Sequence, residues 1–261
     1  MQTITSHQNP LIKRMKSLAT ARGRRQEGAF MAEGEVMIRE ALQSGLSPVA
    51  GIFQAESPLA AELESAGAQA FTVPRSVIEA VCDTKTPQGQ AAMFLLPGRE
   101  KLPEGAKRLV ALDGVQDPGN VGTIIRTLDA AGLDGLLLGD GCPDVFSPKV
   151  MRSTMGSAFR VRHEECVLTE RLAGLKREGY AVISSALDGE DMYARAGSVP
   201  GRFVLVIGSE AHGVSREVQE LSDIKLKISM RGRAESLNAA VAAGILMYHL
   251  TANTGAEASF R

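Results

Sequence analysis

LDGVQDPGNVGTIIRT (residues 112–127) is where the fold first becomes legible. Val110, Ala111 and Leu112 are apolar; then an acid, a proline and three glycines surround Asn120, and a helix carrying Arg126 follows at once. A strand passing through a glycine-rich turn into a helix is the unit of which parallel sheets are made. The turn has neither a Walker lysine nor G-x-G-x-x-G, which excludes those two phosphate cradles. Gly119 and Gly122 let the backbone approach a ligand, Asn120 offers a donor and an acceptor, and Arg126 presents a fork to a phosphate or sugar oxygen. A tight turn with a surface arginine is the other reading of these residues.

The same alternation continues downstream. RLVALD (108–113), GLLLG (135–139), YAVISSAL (180–187), RFVLVIG (202–208) and IKLKISM (224–230) read as strands. Between them VGTIIRTLDAAG, SPKVMRSTMGSAF, TERLAGLKREG and SREVQELS read as helices, with Ser147-Pro148 a good helix start. Apolar strands alternating with helices predict an α/β fold, a mostly parallel sheet with helices on both faces. SLNAAVAAGILMYHL (236–250) is apolar on nearly every side and must be buried, in the domain or against another subunit. Upstream, GEVMIREALQS, ESPLAAELESAG and RSVIEAVCDT read as helices and VAGIF, QAFTV and QAAMFLL as strands. LPGREKLPEGAKR (96–108) resembles a linker. The expected division is 1–96, a small α/β domain; 97–107, a linker; 108–254, the larger domain; and 255–261, a tail.

No apolar run approaches the roughly 20 residues of a membrane span, and MQTITSHQNPLIKRMK lacks the apolar core of a signal peptide, so a cytoplasmic chain is expected. Cys82, Cys142 and Cys166 are scattered, as are His7, His163, His212 and His249, which gives no metal-ligand spacing. The net charge of −1 hides an uneven distribution: Lys13, Arg14, Lys16, Arg22, Arg24 and Arg25 all precede the first acid, Glu27. Such an arm neutralises RNA or DNA phosphates, or is a solvated helix face. With no tryptophan and 4% aromatics, an aromatic stacking platform is disfavoured.

Two further loops match the first in kind. VLVIGSEAHGVS (204–215) runs from a buried strand into Gly208, Ser209 and Glu210, with Gly213 before Ser215, a candidate N-cap. His212 there is a tempting general base, although a lone loop histidine is more often a bystander. ISMRGRAESLNAAVA (228–242) ends a strand, passes Arg231 and Arg233, and reaches Ser236-Leu237-Asn238 at the apolar helix, where Ser236 could cap it.

Three strand ends with Asn/Arg, Gly/Glu and Ser/Asn, in that order, resemble the SpoU (TrmH) family of RNA ribose 2′-O-methyltransferases in the SPOUT superfamily. The PGNxGxxxR pattern is met by Pro118, Gly119, Asn120, Gly122 and Arg126; the G-x-E turn by Gly208, Glu210 and Gly213; the third motif by Ile228, Met230, Ser236, Leu237 and Asn238. Ser229 stands at the usual proline position of that motif, and Ala211 and His212 lengthen the glycine turn. SHQNPLIKRMKSLAT with GAFMAEGEVMIREAL resembles the L30e-like substrate-binding domain that precedes the catalytic one in many members.

The resemblance implies a C-terminal trefoil knot and S-adenosylmethionine as cofactor, held by Ser185, Ala186, Gly208, Ile228, Met230, Ser236 and Leu237. It implies methyl transfer to a ribose 2′-hydroxyl, with Arg126 activating the hydroxyl, Asn120 and Glu210 orienting Arg126 and the nucleotide, and Ser236 and Asn238 completing the pocket. Lys13, Arg14, Lys16, Arg22, Arg24 and Arg25 would carry RNA, ribosomal RNA being favoured. A homodimer through the last helix is implied, with no membrane and no metal. A tRNA methyltransferase and a non-catalytic RNA-binding module of the same fold are the alternatives.

Overall fold

The computed structural model describes residues 1–98, 101–194 and 199–253. The first elements are β1 (Gln2–Thr3), α1 (Pro10–Ser17), α2 (Ala21–Glu27), β2 (Ala29–Glu33), α3 (Glu35–Gln43), β3 (Pro48–Phe53), α4 (Pro58–Ser65), β4 (Gln69–Thr72), α5 (Arg75–Val81) and β5 (Gln90–Leu95). There follow β6 (Arg108–Asp113), α6 (Pro118–Ala130), β7 (Gly135–Leu138), α7 (Pro148–Thr154), β8 (His163–Glu165), α8 (Leu168–Arg177), β9 (Ala181–Asp191), β10 (Phe203–Gly208), α9 (Arg216–Leu221), β11 (Ile224–Lys227) and α10 (Ala239–Asn253). The tail 255–261 lies outside the described residues.

The chain forms two units, Met1–Gly98 with Asp144–Arg160, and Arg99–Pro143 with Val161–Arg261. In the first, a five-stranded sheet runs β1-β4-β3-β5-β2, with β5 antiparallel to both its neighbours. Ile12 and Met15 of α1 and Val77, Ile78 and Val81 of α5 bury their apolar stripes against Ile52 and Met93 of the sheet. Segment 144–160, expected in the larger domain, belongs to this first unit. Phe146 and Phe159 lie 4.8 and 5.7 Å from the ring of Phe30, and Asp144 pairs with Arg24 at 2.7 Å. Aromatic contacts of that kind bury large area and decide where a short segment docks.

The second unit carries six strands in the order β11-β9-β10-β6-β7-β8, every adjacent pair parallel. Leu168, Leu172 and Leu175 of α8 and Val218 of α9 cover one face with Leu109, Ala111, Val182, Val204 and Val206. Helix α10 packs on α6 and β10. From β6 the chain builds outward through β7 and β8, then returns to β9 and β10 on the other side. The strand order therefore reverses between β6 and β10, where the carboxyl ends of an open parallel sheet leave a crevice. Strand β11 stops at Lys227, so Ile228, Ser229 and Met230 lie in a loop where a strand was expected. The predicted linker is partly docked: Leu102 packs against the core of this unit and Ala106 is buried.

Candidate active site

Asp113 and Gly208 are paired residues at the carboxyl ends of β6 and β10, and the first two loops begin there. After β6, Asp117 accepts a hydrogen bond from the Asn120 backbone N–H at 2.8 Å and caps α6, with Pro118 in the first turn. The helix thus starts earlier than apolar periodicity suggests, and Asn120 belongs to its first turn. After β10, Ser209 and Gly213 exchange backbone hydrogen bonds of 3.0 and 2.9 Å, with Gly213 at φ +68°. A Cβ on Gly208 would lie 2.0 Å from the Gly213 carbonyl carbon, so only glycine allows this turn to fold back on its own strand. Asp113 Oδ2 accepts from the Ser215 N–H at 2.7 Å, which ties the second loop to the first strand.

Three of the motif side chains meet at this place. Asn120, 9% exposed, donates from Nδ2 to Glu210 Oε1 at 2.7 Å. Asn238 donates from Nδ2 to Asn120 Oδ1 at 2.9 Å, while its own Oδ1 accepts from the N–H groups of Ala240 and Val241 at 2.9 and 3.2 Å. The amide orientations follow from chemistry: a carboxylate only accepts and a backbone N–H only donates, so each end of the chain dictates the next amide. Burial pushes the Glu210 carboxyl up, but hydrogen bonds from Asn120 and from the N–H groups of Glu210, Gln116 and Asp117 outweigh it and hold the carboxyl below its usual value.

The other expected residues are placed differently. Arg126 is exposed on α6 and makes no hydrogen bond or ion pair with a described residue, so neither Asn120 nor Glu210 orients it in this structure. Ser236 and Leu237 are exposed in the loop before α10, and Asn238 supplies the cap expected of Ser236. Ser185 and Ala186 lie half-buried on β9, Gly208 is buried, and Ile228 and Met230 are half-buried beyond β11. His212 is exposed, its N–H donating to Ser209 Oγ at 3.2 Å. In the first unit Lys13, Lys16, Arg22 and Arg25 are exposed, and Arg14 is exposed but paired with Glu27 at 2.7 Å. Arg24 is not available to RNA: it is 3% exposed and donates to the Leu18 carbonyl at 2.7 Å and to Asp144 at 2.8 Å. Asp113 and Asp117 escaped the motif reading, although an acid before Pro118 at a helix start is a legible capping signal.

Comparison with known proteins agrees with this geometry. The SpoU rRNA Methylase family matches residues 107–248, and an MRM3-like substrate binding domain matches residues 9–92. The 23S rRNA (guanosine(2553)-2′-O)-methyltransferase RlmP of Bacillus subtilis is 39% identical, over 96% of this chain and 99% of its own. An AdoMet-bound rRNA methyltransferase from Sinorhizobium meliloti superposes with a TM-score of 0.83 at 32% identity, covering 95% of this chain and 97% of the other. The SpoU methyltransferase AviRb from Streptomyces viridochromogenes, in complex with AdoMet, gives 0.82 at 25% identity, covering 94% and 98%. One family signature thus spans more than half of the residues and contains every loop that meets at the crevice, and the chain belongs to the SpoU rRNA methylase family.

Proposed function

We propose that this chain transfers a methyl group from S-adenosylmethionine to a ribose 2′-hydroxyl of ribosomal RNA, in the cytoplasm. The observation that carries the reading is Asn120 joining Glu210 and Asn238, one side chain from each motif loop, at the switch point of the sheet. The loops suit a cofactor that is a nucleoside without phosphates. Ile228 and Met230 are half-buried, and the buried Ser184 hydroxyl, next to Ser185 and Ala186, has no hydrogen-bond partner among the described residues. Ser185, Ala186, Gly208, Ile228, Met230, Ser236 and Leu237 would hold it, within the knotted threading that belongs to this reading. When bound, it supplies an electrophilic methyl on sulfonium for in-line displacement.

The chain's own part is alignment and charge. The Glu210–Asn120–Asn238 chain fixes the three loops on one another and so sets the distance between cofactor and acceptor. Arg126, exposed and without a partner among the described residues, is free to hold an RNA phosphate and the neighbouring hydroxyl. It serves as donor and positive charge, and a phosphate oxygen or water accepts the hydroxyl proton. The test is transfer of labelled methyl to ribosomal RNA from a strain lacking the gene, with digestion to nucleosides. A 2′-O-methyl nucleoside that disappears with Arg126→Ala, while cofactor binding survives, is the expected result. Transfer only to tRNA would change the substrate, and transfer to neither would favour an RNA-binding module.

A further inference from the structure

Two of the segments assigned to the cofactor are fastened to each other where β9 meets the end of β11. Along β11 the register jumps from Lys225 opposite Ser184 to Leu226 opposite Glu190, so residues 185–189 of β9 arch out without a partner on β11. Ser185 and Ala186 sit on this arch. Its return depends on Gly189, where a Cβ would lie 2.6 Å from the Lys225 carbonyl oxygen. Asp191, the last residue of β9, then stands opposite Lys227, whose carbonyl accepts from the Met192 N–H at 3.0 Å. There the backbone ladder ends. Two residues on, the Ser229 hydroxyl donates to Asp191 Oδ2 at 2.5 Å. Ile228 and Met230 flank that serine, and the side chains from Arg231 through Asn238 are exposed.

We propose that Asp191 and Ser229 are positioning residues, a latch that holds the Ile228–Met230 loop against the foot of the 185–189 arch so that both meet the cofactor together. This rests on the reading that those two segments contact S-adenosylmethionine. The acceptor has a second partner of its own, since Asp191 Oδ1 also takes the Tyr193 N–H at 2.8 Å. The Ser229 hydroxyl first, then the Tyr193 N–H, hold this carboxyl below its usual range, with Lys227 and the Ala194 N–H adding to the effect. Serine occupies the position where the third motif has proline. A proline ring restricts φ covalently; here a hydrogen bond to a carboxylate restrains the same loop.

The test is calorimetric binding of S-adenosylmethionine to the full chain, with amide hydrogen exchange across 228–231. Asp191→Ala and Ser229→Ala should each weaken binding by about 5- to 10-fold, the scale of one hydrogen bond of ordinary net strength. The double variant should lose no more than either single one, because both remove the same bond. Ser229→Thr, which keeps the hydroxyl, should bind like the wild type, and so serves if an alanine variant folds poorly. In turnover the KM for cofactor should rise while kcat at saturation holds, and exchange at 228–231 should quicken in the free protein. Unchanged affinity in both alanine variants, or losses that add, would overturn the latch. If the wild type binds S-adenosylmethionine and protects 228–231 while neither substitution matters, only the latch fails. If the wild type binds none, the cofactor reading fails and the latch's role with it.

Discussion

Asn120 is buried between a carboxylate and a second amide, and each of its polar ends has a partner. Asn120→Ala would strip Glu210 of a donor and leave the Asn238 Nδ2 without its acceptor. A stability loss of about 1–3 kcal/mol is expected in urea denaturation, and methyl transfer should fall about 100-fold as the loops drift out of line. The substitution also has a pH signature. Glu210 is held deprotonated to lower pH when folded than when unfolded. In acid the unfolded chain therefore binds more protons, and the stabilisation is present above the ordinary glutamate value of about 4.3 and lost as pH falls through the folded one. Denaturation midpoints measured below that value should fall less steeply with pH in Asn120→Ala than in the wild type.

At the scale of elements, the start of α6 governs the site. Asp117 satisfies one of the helix's free N–H groups, and that group belongs to Asn120 itself. Asp117→Ala should cost about 1 kcal/mol, lowering Tm by about 2–4 °C, and Asp117→Ser should restore most of it. If the cap served stability alone, methyl transfer at low temperature would be unchanged in Asp117→Ala; a fall there would show that it also positions Asn120. The capped start of α10 shows how a local rule misleads. Serine at 236 has the right chemistry for a cap, but the backbone is not helical until Ala239, and the neighbour that reaches the first N–H groups is Asn238.

Across the whole molecule, charge and apolar surface set the remaining expectations. Lys13, Lys16, Arg22 and Arg25 are exposed on the first unit. If they neutralise phosphates, replacing each by Ala should weaken RNA binding for every sequence and reduce the slope of log K against log salt by about 0.7–0.9. Arg24→Ala should leave the slope alone and lower the melting temperature, since the Leu18 carbonyl and Asp144 lose their partner. We propose a homodimer through α10, on which the large side chains of Val241 and Tyr248 are 51% and 53% exposed. Sedimentation should give a dimer for the wild type and a monomer for Val241→Lys with Tyr248→Lys; a dimer in both would place the interface elsewhere.

The sequence by itself determined the alternation of strand and helix, the three polar loops at strand ends and the residues they carry. Those features depend on neighbours: apolar runs that must be covered, glycines where a turn needs them, Pro118 at a helix start. The tertiary structure alone decided which loops touch. Asn120 meets Glu210 and Asn238 across 90 and 118 residues of chain, because β10 pairs with β6 and α10 packs on α6. It also decided that Arg24 is structural, that 144–160 belongs with the first unit, and that β9 arches and pairs again with β11 beside Ser229. Each of these depends on a partner far along the chain, whose approach removes water from a charge or an apolar face, and a local pattern carries no record of that.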